Sequence, residues 1–544
     1  DWCVSLVLVT FDQKGESMAN AAASATPEHL VVIIGAGPGG ICASILLQDQ
    51  GIEDFVILDQ AADFGGSWRD NHYPGLAVDV PGFTYQYTFA PNPKWQRMFP
   101  MGRQVWEYHR TVARQHGLYE HARWDTRVVK EEWDDAAGFW RLHIADGSQI
   151  TARFVISAIG AYITAKDDPG IPGYLDFTGE VLRPNAWNHE YDLRGKRVAV
   201  IGTGASSVQI SPSIAPQVAL LEVYQRTPVW ALPKPDVAIP GPVARAMAGR
   251  IVGKPLAGVA NLFIEGALRV AYQTPRPLFR WAAPRFDGGA RRLYRAYLRG
   301  VVRDERVRAK LMPGYGPLGK RPTLSNSFLQ TFNRDNVELI DVPIERIVSD
   351  GIITADGVHH RLDAIVLATG YHLFSDPESY VAGTVVGRDG FDLGVFYNTQ
   401  RLQAYQSVAV PRLPNRWMVV GPYSWIGTGW HLLVEISSSH AVNVIAAAVR
   451  RDEPIVEVTQ RAHEEYRAMI RRNDENIDFY YNTLNAGLRT YYVNSDGDMP
   501  YIRPTSLFGA RQQSRNVDLD AYVFRTAPLD SIADWPVGRA TAGR

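Results

Sequence analysis

Leu30-Val31-Val32-Ile33-Ile34-Gly35-Ala36-Gly37-Pro38-Gly39-Gly40 joins five successive apolar residues to a glycine-rich turn, and Ile41-Cys42-Ala43-Ser44-Ile45-Leu46-Leu47 carries the chain onward at helical spacing. The apolar run predicts a strand buried on both faces. The turn matches G-x-G-x-x-G: the first glycine permits the bend, the second lets backbone close on a pyrophosphate, and the third lets helix and strand pack. Phe55-Val56-Ile57-Leu58 reads as the next strand, and Asp59 ends it about 20 residues on, where a carboxylate accepts a ribose hydroxyl. This βαβ unit predicts a dinucleotide site built on Gly35, Gly37, Pro38, Gly39, Gly40 and Asp59. A glycine turn with no ligand is the alternative, and the strand, helix and acid in sequence weigh against it.

The pattern returns. Arg197-Val198-Ala199-Val200-Ile201 reads as a strand, Gly202-Thr203-Gly204-Ala205-Ser206-Ser207 as the turn, Ala205 to Ala215 as a helix, and Leu221-Glu222-Val223-Tyr224 as the following strand. Serine replaces the third glycine and is still small. After the second strand stands Gln225-Arg226-Thr227 instead of an acid. A cation and a hydroxyl suit a 2′-phosphate, so NADPH is expected over NADH; a solvated surface arginine is the other reading.

Two copies of one unit predict an α/β protein with two Rossmann-like dinucleotide-binding domains. Between about Val243 and Leu311 apolar residues fall at helical spacing interrupted by Pro255, Pro275, Pro277 and Pro284, predicting an insertion of several short helices. Strands are expected at Ala364-Ile365-Val366-Leu367 and Trp417-Met418-Val419-Val420, a long helix around Leu432 to Arg450, and a hairpin turn at His359-His360. The expected boundaries are 28–160 and 372–544 for the first nucleotide domain, 165–232 and 316–371 for the second, and 235–315 for the insertion. Residues 1–27 are read as a disordered extension, and the first seventeen are left out of the fold.

Composition sets limits on function. The 544 residues are 46% hydrophobic and 21% charged, an ordinary globular balance that calls for two or three domains. A net charge of −1 gives no field to draw a polyanion, so nucleic acid is not an expected partner. The two cysteines, Cys3 and Cys42, form neither a disulfide framework nor a dithiol redox pair, which fits a reducing cytoplasm. Val4-Ser5-Leu6-Val7-Leu8-Val9 is too short to span a bilayer and reads as no export signal. The thirteen histidines show no metal-ligand spacing. Gly241 to Lys310 holds fifteen basic residues against four acidic. That excess is read as a solvated face neutralised by neighbouring domains, with contact to an anionic membrane as the alternative and not the expectation.

Gly66-Ser67-Trp68-Arg69-Asp70-Asn71-His72-Tyr73-Pro74-Gly75-Leu76-Ala77-Val78-Asp79 fits G-x-W-x-x-x-x-[FY]-P-G-x-x-x-D, and Lys320-Arg321-Pro322 precedes Phe332-Asn333-Arg334-Asp335-Asn336-Val337. In these segments, and from about Leu30 to Phe524, the chain resembles the type I Baeyer-Villiger monooxygenases, class B flavoproteins that turn ketones into esters or lactones. The resemblance implies FAD and NADPH as cofactors, O2 and a small-molecule ketone as substrates, and oxygen transfer through a C4a-peroxyflavin. It also implies Arg321 as the catalytic cation, Asp79 as its orienting partner, and Arg226, Thr227 and Lys320 as the 2′-phosphate grip. To the cofactor-binding set, which already holds Gly202, Thr203, Gly204 and Ser206 from the second glycine turn, it adds Gly66, Trp68, Asp79, Tyr85 and Tyr491. For Arg321 a surface ion pair, for Asp79 a turn cap and for Trp68 plain core packing remain the other readings.

The chain departs from the family pattern in three places. Phe177 to Asn188 meets F-x-G-x-x-x-H-x-x-x-W-[PD] only partly, with Arg183 in place of histidine and Asn188 in place of Pro or Asp, and Tyr491 stands where many relatives carry tryptophan. Those changes put coupling between the domains in question and leave two rivals open: a flavin monooxygenase acting on sulfur or nitrogen, and a flavin-binding protein without turnover. Ser424 to Trp430 and the helical insertion are expected to shape the substrate pocket; which ketone it takes, and the oligomeric state, are not legible.

Overall fold

The computed structural model describes residues 26–526, apart from 163, 167, 250, 426 and 428. The expectations for residues 1–17 and for Cys3 lie outside them. The strand His29–Ile34 leads through Gly37, which caps no group with a side chain, into helix α1 (Pro38–Asp49), with proline at its start where no N–H partner is needed. His29–Ile34 pairs in parallel with Phe55–Leu58 on one side and Gln149–Ser157 on the other. The eight-stranded sheet continues as an antiparallel meander through Phe139–Ile144 and Val128–Asp134. Its one contribution from far along the chain besides Val385–Val386 is Arg416–Met418, parallel to Gln149–Ser157.

A second sheet is entirely parallel, in the order Val337–Ile340, Leu220–Tyr224, Arg197–Ile201, Ala364–Leu367, Glu180–Leu182. Helix α2 (Ala205–Ile214) follows its central strand. The fold is therefore α/β with two Rossmann-like units. In both sheets alternate residues enter different cores: Val31 and Ile33 face one, Val32 and Ile34 another, and Val198 and Val200 are likewise divided from Ala199 and Ile201. Covering both faces of parallel strands requires such unbroken apolar runs.

The region after the second unit differs from expectation. Only α3 (Gly241–Ala248) and Glu305–Lys310 are short; between them lie α4 (Gly253–Gln273) of 21 residues and α5 (Arg276–Val301) of 26. Pro255 and Pro277 fall in first turns, where the missing N–H costs nothing, and Pro275 caps α5. Pro284 does lie inside α5. The helix continues because Phe279, Ala283, Asp287, Tyr294 and Leu298 form one buried stripe that fixes it to the body. His359 and His360 are not a turn: they lie on the strand His359–Arg361, and the bend is at Gly357, whose φ of +82° suits glycine. The strand expected through Val420 ends at Met418, since Val420 is in the left-handed region at φ +63°.

Helix α6 (Trp430–Arg451) packs against α1. Among the described residues it is the only helix long and apolar enough to cross a membrane, and it is largely buried inside the protein.

Candidate functional site

Both glycine turns are built the same way. Gly35 and Gly202 each have φ +108°, and a Cβ on either would sit 2.5 Å from the Ala158 carbonyl or 2.6 Å from the Ala368 carbonyl, the residue just past a neighbouring strand. Only glycine fits there. Gly37 and Gly204 start α1 and α2 with no side-chain cap, so the first helical N–H groups are left for an anion. Gly37 faces Gly66: a Cβ on Gly66 would come 2.9 Å from the Gly37 Cα, so two backbones pass without side chains between them. Gly39 packs on Val419 and Ala158, and Gly40 on the turn itself. The space beside Gly204 is open.

The two units part company after their second strands. Buried Asp59 accepts hydrogen bonds from Ala36 N at 2.6 Å and Ala61 N at 2.9 Å, so it braces the first turn while both oxygens keep acceptor capacity. In the second unit Thr203 Oγ1 donates to the Thr227 carbonyl at 3.0 Å, tying the turn to the residue after exposed Arg226. Burial and the neighbouring Arg226 guanidinium pull the Lys320 pKa down to about 8. Two cations held together in this way are a site that an anion would relieve. Ser206 lies on α2 beside the Tyr73 phenol, whose pKa burial pushes up to about 12.

Asp79 and Arg321, 242 residues apart, meet with Nη2 donating to Oδ1 at 2.6 Å, both side chains half-buried. Burial acts against the guanidinium charge, but Asp79 and the phenols of Tyr491, Tyr162 and Tyr492 outweigh it and hold its pKa well above the ordinary value. The cation is permanent. Around it lies an aromatic cage whose tyrosines, Tyr491 apart, the sequence did not announce: the Tyr162 and Tyr501 hydroxyls share a hydrogen bond at 2.7 Å, the Tyr491 ring meets Tyr501 at 5.0 Å, and Trp425 stacks on Tyr492 at 5.6 Å. The backbone before Lys320 is held too, with Tyr481 donating its hydroxyl to the Leu318 carbonyl at 2.7 Å.

Trp68 is partly buried against the first core, and its indole N–H donates to Tyr85 at 3.0 Å. The Tyr73-Pro74-Gly75 segment docks the first unit on the second. Tyr73 donates to Gln209 Oε1 at 3.0 Å, Gln209 Nε2 donates to the Ala77 carbonyl at 2.9 Å, and a Cβ on Gly75 would meet the Gln209 carbonyl at 2.6 Å. Gln209 was missed by sequence reasoning, as a glutamine on a helix carries no local signal. Asn188, one of the departures from pattern, donates to Glu180 at 2.9 Å and anchors its own segment. Among the described residues there is no cluster of metal-ligating groups.

A family profile described as pyridine nucleotide-disulphide oxidoreductase matches residues 32–240. The chain is 34% identical to a Baeyer-Villiger monooxygenase of Streptomyces coelicolor, over 92% of this chain and 94% of that one. It is 31% identical to another of Pseudomonas aeruginosa, over 95% and 96%. Among solved structures, an oxidised steroid monooxygenase bound to NADP superposes with a TM-score of 0.78 at 25% identity, covering 92% of this chain and all of that one.

Proposed function

Because the chain belongs to the family of Baeyer-Villiger monooxygenases, we propose how its own residues carry that reaction. It is an FAD- and NADPH-dependent monooxygenase that inserts one atom of O2 beside a ketone carbonyl, giving an ester or lactone. FAD and NADPH, when bound, supply hydride transfer and dioxygen activation.

Gly35, Gly37 and the N-terminus of α1 would hold the FAD pyrophosphate, with Gly66, Trp68 and Tyr85 contributing to the same site and Asp59 available to a ribose hydroxyl. Gly202, Gly204, Thr203 and Ser206 do the same for NADPH, and Arg226, Thr227 and Lys320 grip the 2′-phosphate. The bare helix starts and the paired cations support both assignments. The corresponding domains are 28–160 with 372–544, 165–232 with 316–371, and the helical 235–315.

Arg321 holds the negative charge on the attacking oxygen and on the former carbonyl oxygen, and Asp79 fixes the direction of its Nη2. A fixed, permanently charged donor already aimed at the reacting atoms stabilises such charge better than water, which must reorient to do so. The observation that carries this role is the 2.6 Å Asp79–Arg321 pair inside the tyrosine cage. Tyr491, packed on Tyr492 and Tyr501, would hold the nicotinamide of NADPH when it is bound. The substrate is a small-molecule ketone, and the enzyme works in the reducing cytoplasm, consistent with its sparse cysteines and with Cys42 buried.

Product analysis of a ketone panel and a sulfide panel, with NADPH in air, tests the reaction. Esters or lactones from ketones are expected. Oxygenated sulfides with no ester would transfer the protein to the sulfur- and nitrogen-oxygenating class, and no NADPH oxidation at all would make it a non-catalytic flavin binder.

A further inference from the structure

Helix α4 turns an apolar stripe to solvent. Leu256, Val259, Phe263 and Val270 follow one another at steps of three, four and seven residues, so they share one helical face, and all are exposed. Phe263 is 85% exposed, and Ile251, in the turn before the helix, 89%. Exposed apolar residues scattered singly need no explanation, whereas a continuous row along a 21-residue helix does. Helix α5 adds exposed Leu278 and Trp281, with the Arg285 guanidinium 4.3 Å over the indole.

Charge on these helices has one sign. Gly241 to Val301 contains eleven basic residues and only two acids, Glu265 and Asp287, and both acids are buried. Glu265 accepts from Leu507 N and pairs with Arg269, and Asp287 accepts from the Tyr480 hydroxyl, so neither offsets charge at the surface. Arg276 pairs with Glu475, but Arg245, Lys254 and Arg292 make no ion pair among the described residues. The face expected to be solvated and neutralised thus also exposes apolar side chains, beside cations of which Arg276 alone is paired by another element and Arg245, Lys254 and Arg292 have no ion pair among the described residues.

We propose that α3 to α5 form a docking surface for an anionic lipid bilayer. The α4 stripe enters the boundary between headgroups and acyl chains, and the flanking cations meet the headgroup phosphates. A second copy of this chain is the poorer occupant, since a two-fold pairing of this face would set cations on cations with no exposed acid between them. A side chain as exposed as Phe263 also projects outward instead of lining a groove. Helix α6, apolar enough to span, is buried and takes no part.

The test is co-sedimentation of the FAD-loaded enzyme with vesicles of phosphatidylcholine alone or with about one third phosphatidylglycerol. Binding to the anionic vesicles is expected to exceed that to neutral ones by at least about tenfold and to vanish near 0.5 M salt, where screening acts within about 4 Å. The variant V259S/F263S/V270S is expected to lose at least about tenfold of this binding, with FAD content and NADPH oxidation in buffer unchanged. Should that variant not fold, Arg245→Glu with Lys254→Glu is expected to give the same loss without touching the apolar stripe. The proposal is overturned by absence of binding to anionic vesicles, by equal binding to neutral ones, by variants that bind like the parent, or by a vesicle-free dimer that the serine variant dissociates.

Discussion

The two glycine turns share a backbone and differ in the side chains gathered beyond it. Each opens with a glycine at φ +108° pressed against a neighbouring carbonyl, and each leads into an uncapped helix. One unit then turns a carboxylate, Asp59, back onto its own loop, while the other gathers Arg226 and Lys320, neither of which has an ion pair among the described residues. The same backbone unit thus carries a carboxylate beside one turn and two cations from separate segments beside the other. On the proposed assignment, cofactor choice lies in those side chains, and the turn supplies affinity for phosphate.

The largest effect should come from adding a methyl group to either turn. Gly35→Ala is expected to abolish FAD retention, measured as flavin absorbance of the purified protein. Gly202→Ala should leave the protein yellow but cut flavin reduction by NADPH at least about 100-fold, a loss of the order that removing a well-placed group produces. If both variants lose flavin equally, the two turns are not separate sites. Next comes the cation pair. Arg226→Ala and Lys320→Ala should each raise KM for NADPH about tenfold to a hundredfold, the worth of a charge-assisted hydrogen bond. KM for NADH should stay nearly constant; equal losses for both cofactors would contradict the 2′-phosphate assignment.

The smallest effect is that of pH. Because folding lowers the Lys320 pKa to about 8, its charge is present below that value and is lost as pH rises through it. Affinity for NADP+ should therefore fall from about pH 8 upward, by up to about tenfold per pH unit while Lys320 alone titrates, and affinity for NAD+ should not. Titration by fluorescence at several pH values would reveal a flat NADP+ to NAD+ ratio if the lysine is not involved.

Much of this is legible in the residue order alone. The apolar runs at Val31 to Ile34 and Val198 to Ile201 had to be doubly buried strands, and the glycines after them had to turn. Arg226 stood where an acid would otherwise be. The length of α4 and α5 was not legible, because Pro255 and Pro277 read as breaks until their first-turn positions are known, and Pro284 is overridden by tertiary packing. Nor could local pattern join Asp79 to Arg321 across 242 residues; only family resemblance paired them. The Gln209 clamp and the Tyr162, Tyr492 and Tyr501 members of the cage were invisible for the same reason, since each contact belongs to the packing of distant segments, and only Tyr491 was named, by resemblance. The uncovered α4 stripe shows at helical period in the sequence, but only the fold tells which face is outside.

Where the two units meet, Asp79 of the first steers Arg321 of the second, and that junction is where oxygen transfer is assigned. Arg321→Ala, given NADPH, air and a ketone that the parent enzyme converts, separates the two half-reactions in one assay. NADPH should still be oxidised near the parental rate, while ester formation should fall about 100- to 1,000-fold. Ester produced at the parental rate would contradict the assignment of the charge-holding role to this guanidinium.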